Sequence, residues 1–130
     1  MIEVKHIRLD NSSEKKLFVN FDREIYVNEP NWVAPLRMDV NGRLDVKKHP
    51  FYAKNTIQCF MAYKHGKPAG RIAAIQNVQF NEYHNCKTGF WGFFECINDQ
   101  EVANALFDEA KRWLQDRSLN TMQGPVNPST

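Results

Sequence analysis

Residues 88–97, TGFWGFFECI, form an almost unbroken apolar run, and the chain's most regular amphipathic pattern follows at once. The run is too short to cross a membrane and too continuous for a half-solvated strand. It predicts a strand covered on both faces. Val102, Ala103, Leu106, Phe107, Ala110, Trp113 and Leu114 then share one helical stripe, while Asp108, Glu109, Lys111, Arg112 and Gln115 lie off it. That spacing predicts a helix over 99–117. Asn98 and Glu101 have the spacing of a capping box, with Asn98 as the cap and Glu101 reaching back to it. Leu119 to Val126 returns to an extended pattern, and Gly124, Pro125 and Pro128 mark this last strand as irregular or near an edge. A covered strand, a helix and a further strand make a crossover onto a sheet, so the fold class is α/β with a mixed sheet.

The first half of the chain supplies the rest of the layers. Ile2 to Leu9 alternates apolar and polar residues, the period of a half-buried strand. Asp10-Asn11-Ser12-Ser13 is a turn cluster that also offers a helix N-cap. Leu17, Phe18, Phe21 and Ile25 predict an amphipathic helix from Glu14 to about Val27. Pro30 and Pro35 stop it, and Trp32 and Val33 read as buried plugs in an irregular stretch. Residues 36–48 are weakly helical and broken by Asn41-Gly42; residues 49–52 are irregular. Residues 56–63 and 69–78 read as two strands of a hairpin about the turn at 64–68. The polar stretch 77–87, with Tyr83-His84-Asn85, reads as a loop.

Composition excludes several function classes. At 130 residues, with 42% hydrophobic and 25% charged residues, the chain reads as one ordered domain over 1–130. The net charge is only +2, and the basic residues are scattered apart from a loose group at Arg37, Arg43, Lys47, Lys48, His49 and Lys54. That group reads as solvated surface, with contact to a ligand phosphate as the alternative. A nucleic-acid stripe is absent. No apolar run approaches the ~18 residues of a membrane span, and no signal peptide is evident. Cys59, Cys86 and Cys96 are odd in number and lack Cys-x-x-Cys spacing, which argues against a disulfide framework and structural zinc. A reducing, cytoplasmic compartment fits. His84 and Cys86 have no second ligand pair, so no metal is expected.

Asn31-Trp32-Val33-Ala34-Pro35-Leu36-Arg37, Gly70-Arg71-Ile72-Ala73-Ala74-Ile75, Gly92-Phe93-Phe94-Glu95 and Gly124-Pro125-Val126-Asn127-Pro128-Ser129 together span most of the chain. With the element order above, they resemble the GNAT superfamily of acyl-CoA N-acyltransferases, and most closely a sparsely characterised branch of it. The resemblance implies a mostly antiparallel mixed sheet, with a three-strand meander at 56–63, 69–78 and 88–97. A helix and a fifth strand at 120–127 complete it. The fourth and fifth strands would splay to admit the pantetheine arm of acetyl-CoA or another acyl-CoA. Members of that branch run well past this length. The chain would therefore correspond to their N-terminal portion, without the last strands. An exposed sheet edge would then invite a homodimer.

The same resemblance implies site residues. Glu95, the only acid inside the apolar run, takes the place of a general base that deprotonates an amine or other small-molecule acceptor. Phe94, Cys96, Ile97, Asn98 and Asn127 would border the cofactor, although Asn127, before Pro128, also suits a turn. Tyr83 and His84 would edge the acceptor side. One departure stands out. Where the family has an Arg/Gln-x-x-Gly-x-Gly/Ala loop for the pyrophosphate, this chain has Cys96-Ile97-Asn98-Asp99-Gln100-Glu101, without glycine and with two carboxylates. Those acids suit a self-capped helix better than an anion site, unless Arg71 or the cluster about Lys47 compensates. A scaffold that has lost catalysis is the alternative reading.

Overall fold

The computed structural model of the chain describes residues 2–25 and 55–124. The strands are β1 (Ile2–Ile7), β2 (Thr56–Lys64), β3 (Lys67–Gln76), β4 (Thr88–Cys96) and β5 (Thr121–Gln123). The helices are α1 (Ser12–Ile25), α2 (Val78–His84) and α3 (Gln100–Asp116). The five strands form one sheet in the order β1-β2-β3-β4-β5. The first four are antiparallel neighbours, and β5 joins β4 in parallel after the α3 crossover. The Trp32-Val33 plugs, the weakly helical stretch at 36–48, the irregular 49–52 and the basic group at 37–54 lie outside the described residues.

Strand alternation sorts the core into two layers. Phe60, Ala62, Ile72 and Ala74 pack with Val102, Leu106, Ala110 and Leu114 of α3. Cys59, Met61, Ala73 and Phe93 pack on the other face with Phe18, Val19 and Phe21 of α1. The α3 stripe read from the sequence is the buried one. Asn11 caps α1, its Oδ1 accepting the N–H groups of Ser13 and Glu14 at 3.0 and 3.1 Å.

Two readings need correction. The expected loop at 77–87 contains α2. Its polar composition hides the helix, but asparagines punctuate both ends: Asn77 Oδ1 accepts the Phe80 N–H, and Asn85 closes the helix in the left-handed conformation (φ 50°). The cap of α3 is Asp99, not Asn98, which is exposed.

Close approach explains one glycine in the covered strand. A Cβ on Gly89 would fall 2.6 Å from Leu114 Cδ2 and 2.8 Å from Cδ1, so α3 rests directly on β4 there. Gly89→Ala is therefore expected to lower stability by about 1–3 kcal/mol, the usual cost of overpacking. Urea unfolding of the two proteins measures it, with an unchanged midpoint counting against this contact.

Candidate active site

The fourth strand is irregular where the sequence placed its acid. Ala73 pairs with Gly92 and Arg71 with Glu95, so two residues of β4, Phe93 and Phe94, stand opposite Ile72 alone. This is a β-bulge. Phe93 carries it at φ 53°, a region that costs a residue with a side chain ~1–2 kcal/mol. The bulge shifts the parity of the strand, so that Trp91 and Phe94, three residues apart, share a face. Phe94 joins Trp91 and Phe107 on the α3 side, at ring-centroid distances of 6.0 and 4.8 Å. Phe93 turns to the α1 side and meets the Phe18 ring at 6.2 Å. Glu95 stands between Phe94 and Cys96, both of which pack toward α3. Alternation therefore places Glu95 on the α1 face, half-buried, on the side that carries Arg71 and Phe93.

Arg71 holds this geometry. Its guanidinium is buried, at 5% exposure. Nε donates to the Phe93 carbonyl at 3.0 Å, and Nη1 donates to the Phe18 and Val19 carbonyls at 2.6 and 3.2 Å. The cation also sits 5.1 Å from the Phe18 ring centroid. Arg71 thus ties the bulge to the middle of α1. It is committed inside the fold and does not supply charge to the loop before α3. On the same face, burial pushes the Cys59 thiol far above its ordinary range, with Arg71 opposing weakly, so Cys59 is no nucleophile at neutral pH.

At the end of β4 the loop closes on itself. The Ile97 N–H donates to the Ala69 carbonyl at 2.9 Å, although the Ile97 side chain is exposed. Asp99 Oδ1 accepts the Glu101 N–H at 3.0 Å, and the other carboxylate oxygen forms an ion pair with the Lys64 ammonium. Cys96 is half-buried; burial first, and then Asp99, raises its thiol pKa. Nothing in the sequence pointed to Lys64, which arrives from the hairpin turn 35 residues away. The donors here do not fit the diphosphate of a CoA ester, because a carboxylate already occupies the helix start.

The opposite edge of β4 meets β5. Among the described residues, β5 pairs with it at Thr88, Gly89 and Phe90 and no further. Gly124 then lies against Trp91, where a Cβ would come 2.5 Å from the indole. Asn127 lies outside the described residues. Tyr83 and His84 sit at the end of α2, both exposed, with ring centroids 4.9 Å apart. No group of three or more metal-ligating side chains gathers among the described residues, and none of their helices is long and apolar enough to cross a membrane.

A meander leading to a bulged β4, a crossover helix and a parallel β5 is the fold of the GNAT acyl-CoA N-acyltransferases. Solved members superpose on this chain at low sequence identity. A tandem GNAT protein from the clavulanic acid biosynthesis pathway matches with a TM-score of 0.70 at 12% identity, over all of this chain and 40% of that one. An aminoglycoside acetyltransferase from an uncultured soil metagenomic sample, in complex with sisomicin, gives 0.63 at 9%, over 97% and 78%. A predicted acetyltransferase with acetyl-CoA from Clostridium acetobutylicum gives 0.58 at 11%, over 98% and 82%. No family model matches the sequence. Among curated proteins, Escherichia coli protein YghO is 32% identical over 90% of the chain, and a Caulobacter vibrioides bacterial ceramide synthase is 31% identical over 95%. The chain spans 30% and 32% of their respective lengths.

Two measurements test the site. Arg71→Met leaves the Phe93 carbonyl buried without its donor and should lower stability by about 2–3 kcal/mol in denaturant unfolding. A neutral outcome would mean that the bulge holds without the guanidinium. The second concerns pH. The hydrogen bond from Lys64, opposed by burial and assisted by the Glu101 N–H, holds the Asp99 carboxyl below its ordinary 3.8. The same bond holds Lys64 above its ordinary 10.5. A depressed carboxyl stabilises fully above its unfolded pKa and ceases to do so as pH falls through the folded one; a raised ammonium stabilises below its unfolded pKa and fades above the folded one. The pair therefore contributes in full between about pH 4 and pH 10. Asp99→Asn should lower the thermal midpoint at pH 7, and its gap to the unmodified protein should begin to narrow as pH falls past 3.8 and close only below the depressed folded pKa. A gap that persists there would assign the loss to something other than charge.

Proposed function

We propose that this chain is an N-acyltransferase-like protein that joins the acyl group of an acyl-CoA, acetyl-CoA included, to an amine, with Glu95 as the base. The observation that carries it is the placement of that single acid on the bulged fourth strand of a GNAT fold, opposite Arg71 and on the α1 face. In the reaction, the amine nitrogen attacks the thioester carbonyl and a C–N bond forms. The nitrogen's proton passes to the Glu95 carboxylate, directly or through a water. The C–S bond breaks, and the thiolate leaves and takes up a proton. Phe94, Cys96, Ile97, Asn98 and Asn127 are proposed to border the thioester. Phe94 and Cys96 flank Glu95 on β4 and Ile97 and Asn98 follow them, which supports this.

The ceramide synthase relative adds a class of acceptor. A ceramide is an amide of a long-chain amino alcohol, so an enzyme of that name forms an N-acyl bond. This supports an amine acceptor and brings long-chain amino alcohols into the proposal beside small amines. A cytoplasmic site of action belongs to it too, with three free cysteines as its support.

The self-capped start of α3 favours a second reading, a GNAT scaffold that binds a partner without catalysis. One experiment separates the two. The full chain is incubated with acyl-CoA and a panel of amines that includes long-chain amino alcohols, and thiol release is followed. Amine-dependent release is expected, and Glu95→Gln should lower its rate by about 10²–10⁴-fold. No release with any amine, together with no thermal shift at millimolar acyl-CoA, would sink the catalytic reading. Release that Glu95→Gln leaves intact would remove Glu95 from it.

A further inference from the structure

An acyl-CoA offers a protein two handles of different chemistry. One is a neutral pantetheine arm with two amides next to the thioester. The other is a nucleotide whose diphosphate carries most of the charge. A diphosphate gains most at a helix start, where N–H groups lack helical partners and the dipole is positive. In this chain that place is taken. The Asp99 carboxylate accepts the Glu101 N–H and is ion-paired with Lys64. The Asp99 N–H turns back to the Ile97 carbonyl at 2.7 Å. Glu101 adds a second acid in the first turn. No glycine between Ile97 and Glu101 lets the backbone curl into an anion-binding nest. A diphosphate would have to displace the cap, break the Lys64 pair and face two carboxylates at close range.

We infer that the protein recognises its acyl donor through the pantetheine thioester alone, with any diphosphate left outside the start of α3. This deepens the acyltransferase reading and rests on it. The strand beside the thioester suits such an arm: among the described residues β4 runs on to Cys96 past its last β5 pair, Phe90↔Gln123, and an extended arm with amides matches an extended strand. The donor class is then any acyl-pantetheine thioester. A free CoA ester and the phosphopantetheine arm of an acyl carrier protein are the two sources of it.

Calorimetry on the full chain tests this with three probes: S-acetylpantetheine, acetyl-CoA and an acetylated acyl carrier protein. Acetylpantetheine and acetyl-CoA are expected to bind within about threefold of each other. Lys64→Met should leave that ratio where it is. Tighter binding of the carrier protein than of acetylpantetheine assigns the carrier as the source; equal or weaker binding assigns the CoA ester. A preference for acetyl-CoA over acetylpantetheine of about tenfold or more overturns the inference and leaves the acyltransferase reading standing. Failure of all three probes to bind overturns both.

Discussion

A guanidinium buried between a helix and a strand organises this molecule. Arg71 lies on the central strand β3, and its donors reach the Phe93 carbonyl on one side and the Phe18 and Val19 carbonyls on the other. A buried charge is costly unless hydrogen bonds surround it. Here the partners are backbone carbonyls from two separate elements, so the requirement to satisfy the charge becomes a constraint on geometry. α1 must lie across the sheet where its middle turn meets β3, and β4 must present the carbonyl of a residue in the left-handed region. The strain at Phe93 persists because the surroundings leave it no alternative. The bulge in turn decides which side chains share a face, and so separates Glu95 from the Trp91–Phe94–Phe107 cluster.

That separation alters the environment expected for the acid. In the linear sequence Glu95 follows four aromatics, Phe90, Trp91, Phe93 and Phe94. In the fold, Phe94 and Trp91 pack toward α3, while Phe93 shares the α1 face with Glu95. The acid therefore faces the layer of the buried cation, which also holds Phe18 and Phe21. The two faces of β4 thus serve different layers: Trp91, Phe94 and Cys96 seat α3, and Phe93 meets the α1 layer.

Much of this was legible in the sequence, for reasons that can be stated residue by residue. The α3 stripe of Val102, Leu106, Ala110 and Leu114 is legible because helical periodicity survives whatever the helix packs against. The covered strand is legible because a strand between two layers needs apolar side chains on both faces. The α2 helix was not, since Asn77 and Asn85 are punctuation for helices and loops alike and seven residues carry too little periodicity to decide. The bulge leaves no trace in the sequence, because a strand covered on both faces has no polar alternation for Phe93 and Phe94 to break. Asn98 and Asp99 rank alike as cap residues, and the capping-box spacing to Glu101 favoured Asn98. What selects Asp99 is Lys64, a partner from a distant turn, and no local pattern reports on it.

The Lys64–Asp99 pair also bears on how far the fold constrains chemistry. In this chain the bulged strand and the crossover helix follow from packing. The helix start is different, because its electrostatic sign depends on two or three side chains that the core does not touch. Gly70 and Gly89 are held by contact with α3, and changing either disturbs the sheet. Asp99 and Lys64 lie at the rim and can change without cost to either core layer. The feature that most strongly suggests the fold, β4 running into α3, therefore sits beside the feature most free to diverge from its usual use. This chain keeps the sheet and the crossover helix, while the start of α3 carries two acids at the place where a helix otherwise favours an anion.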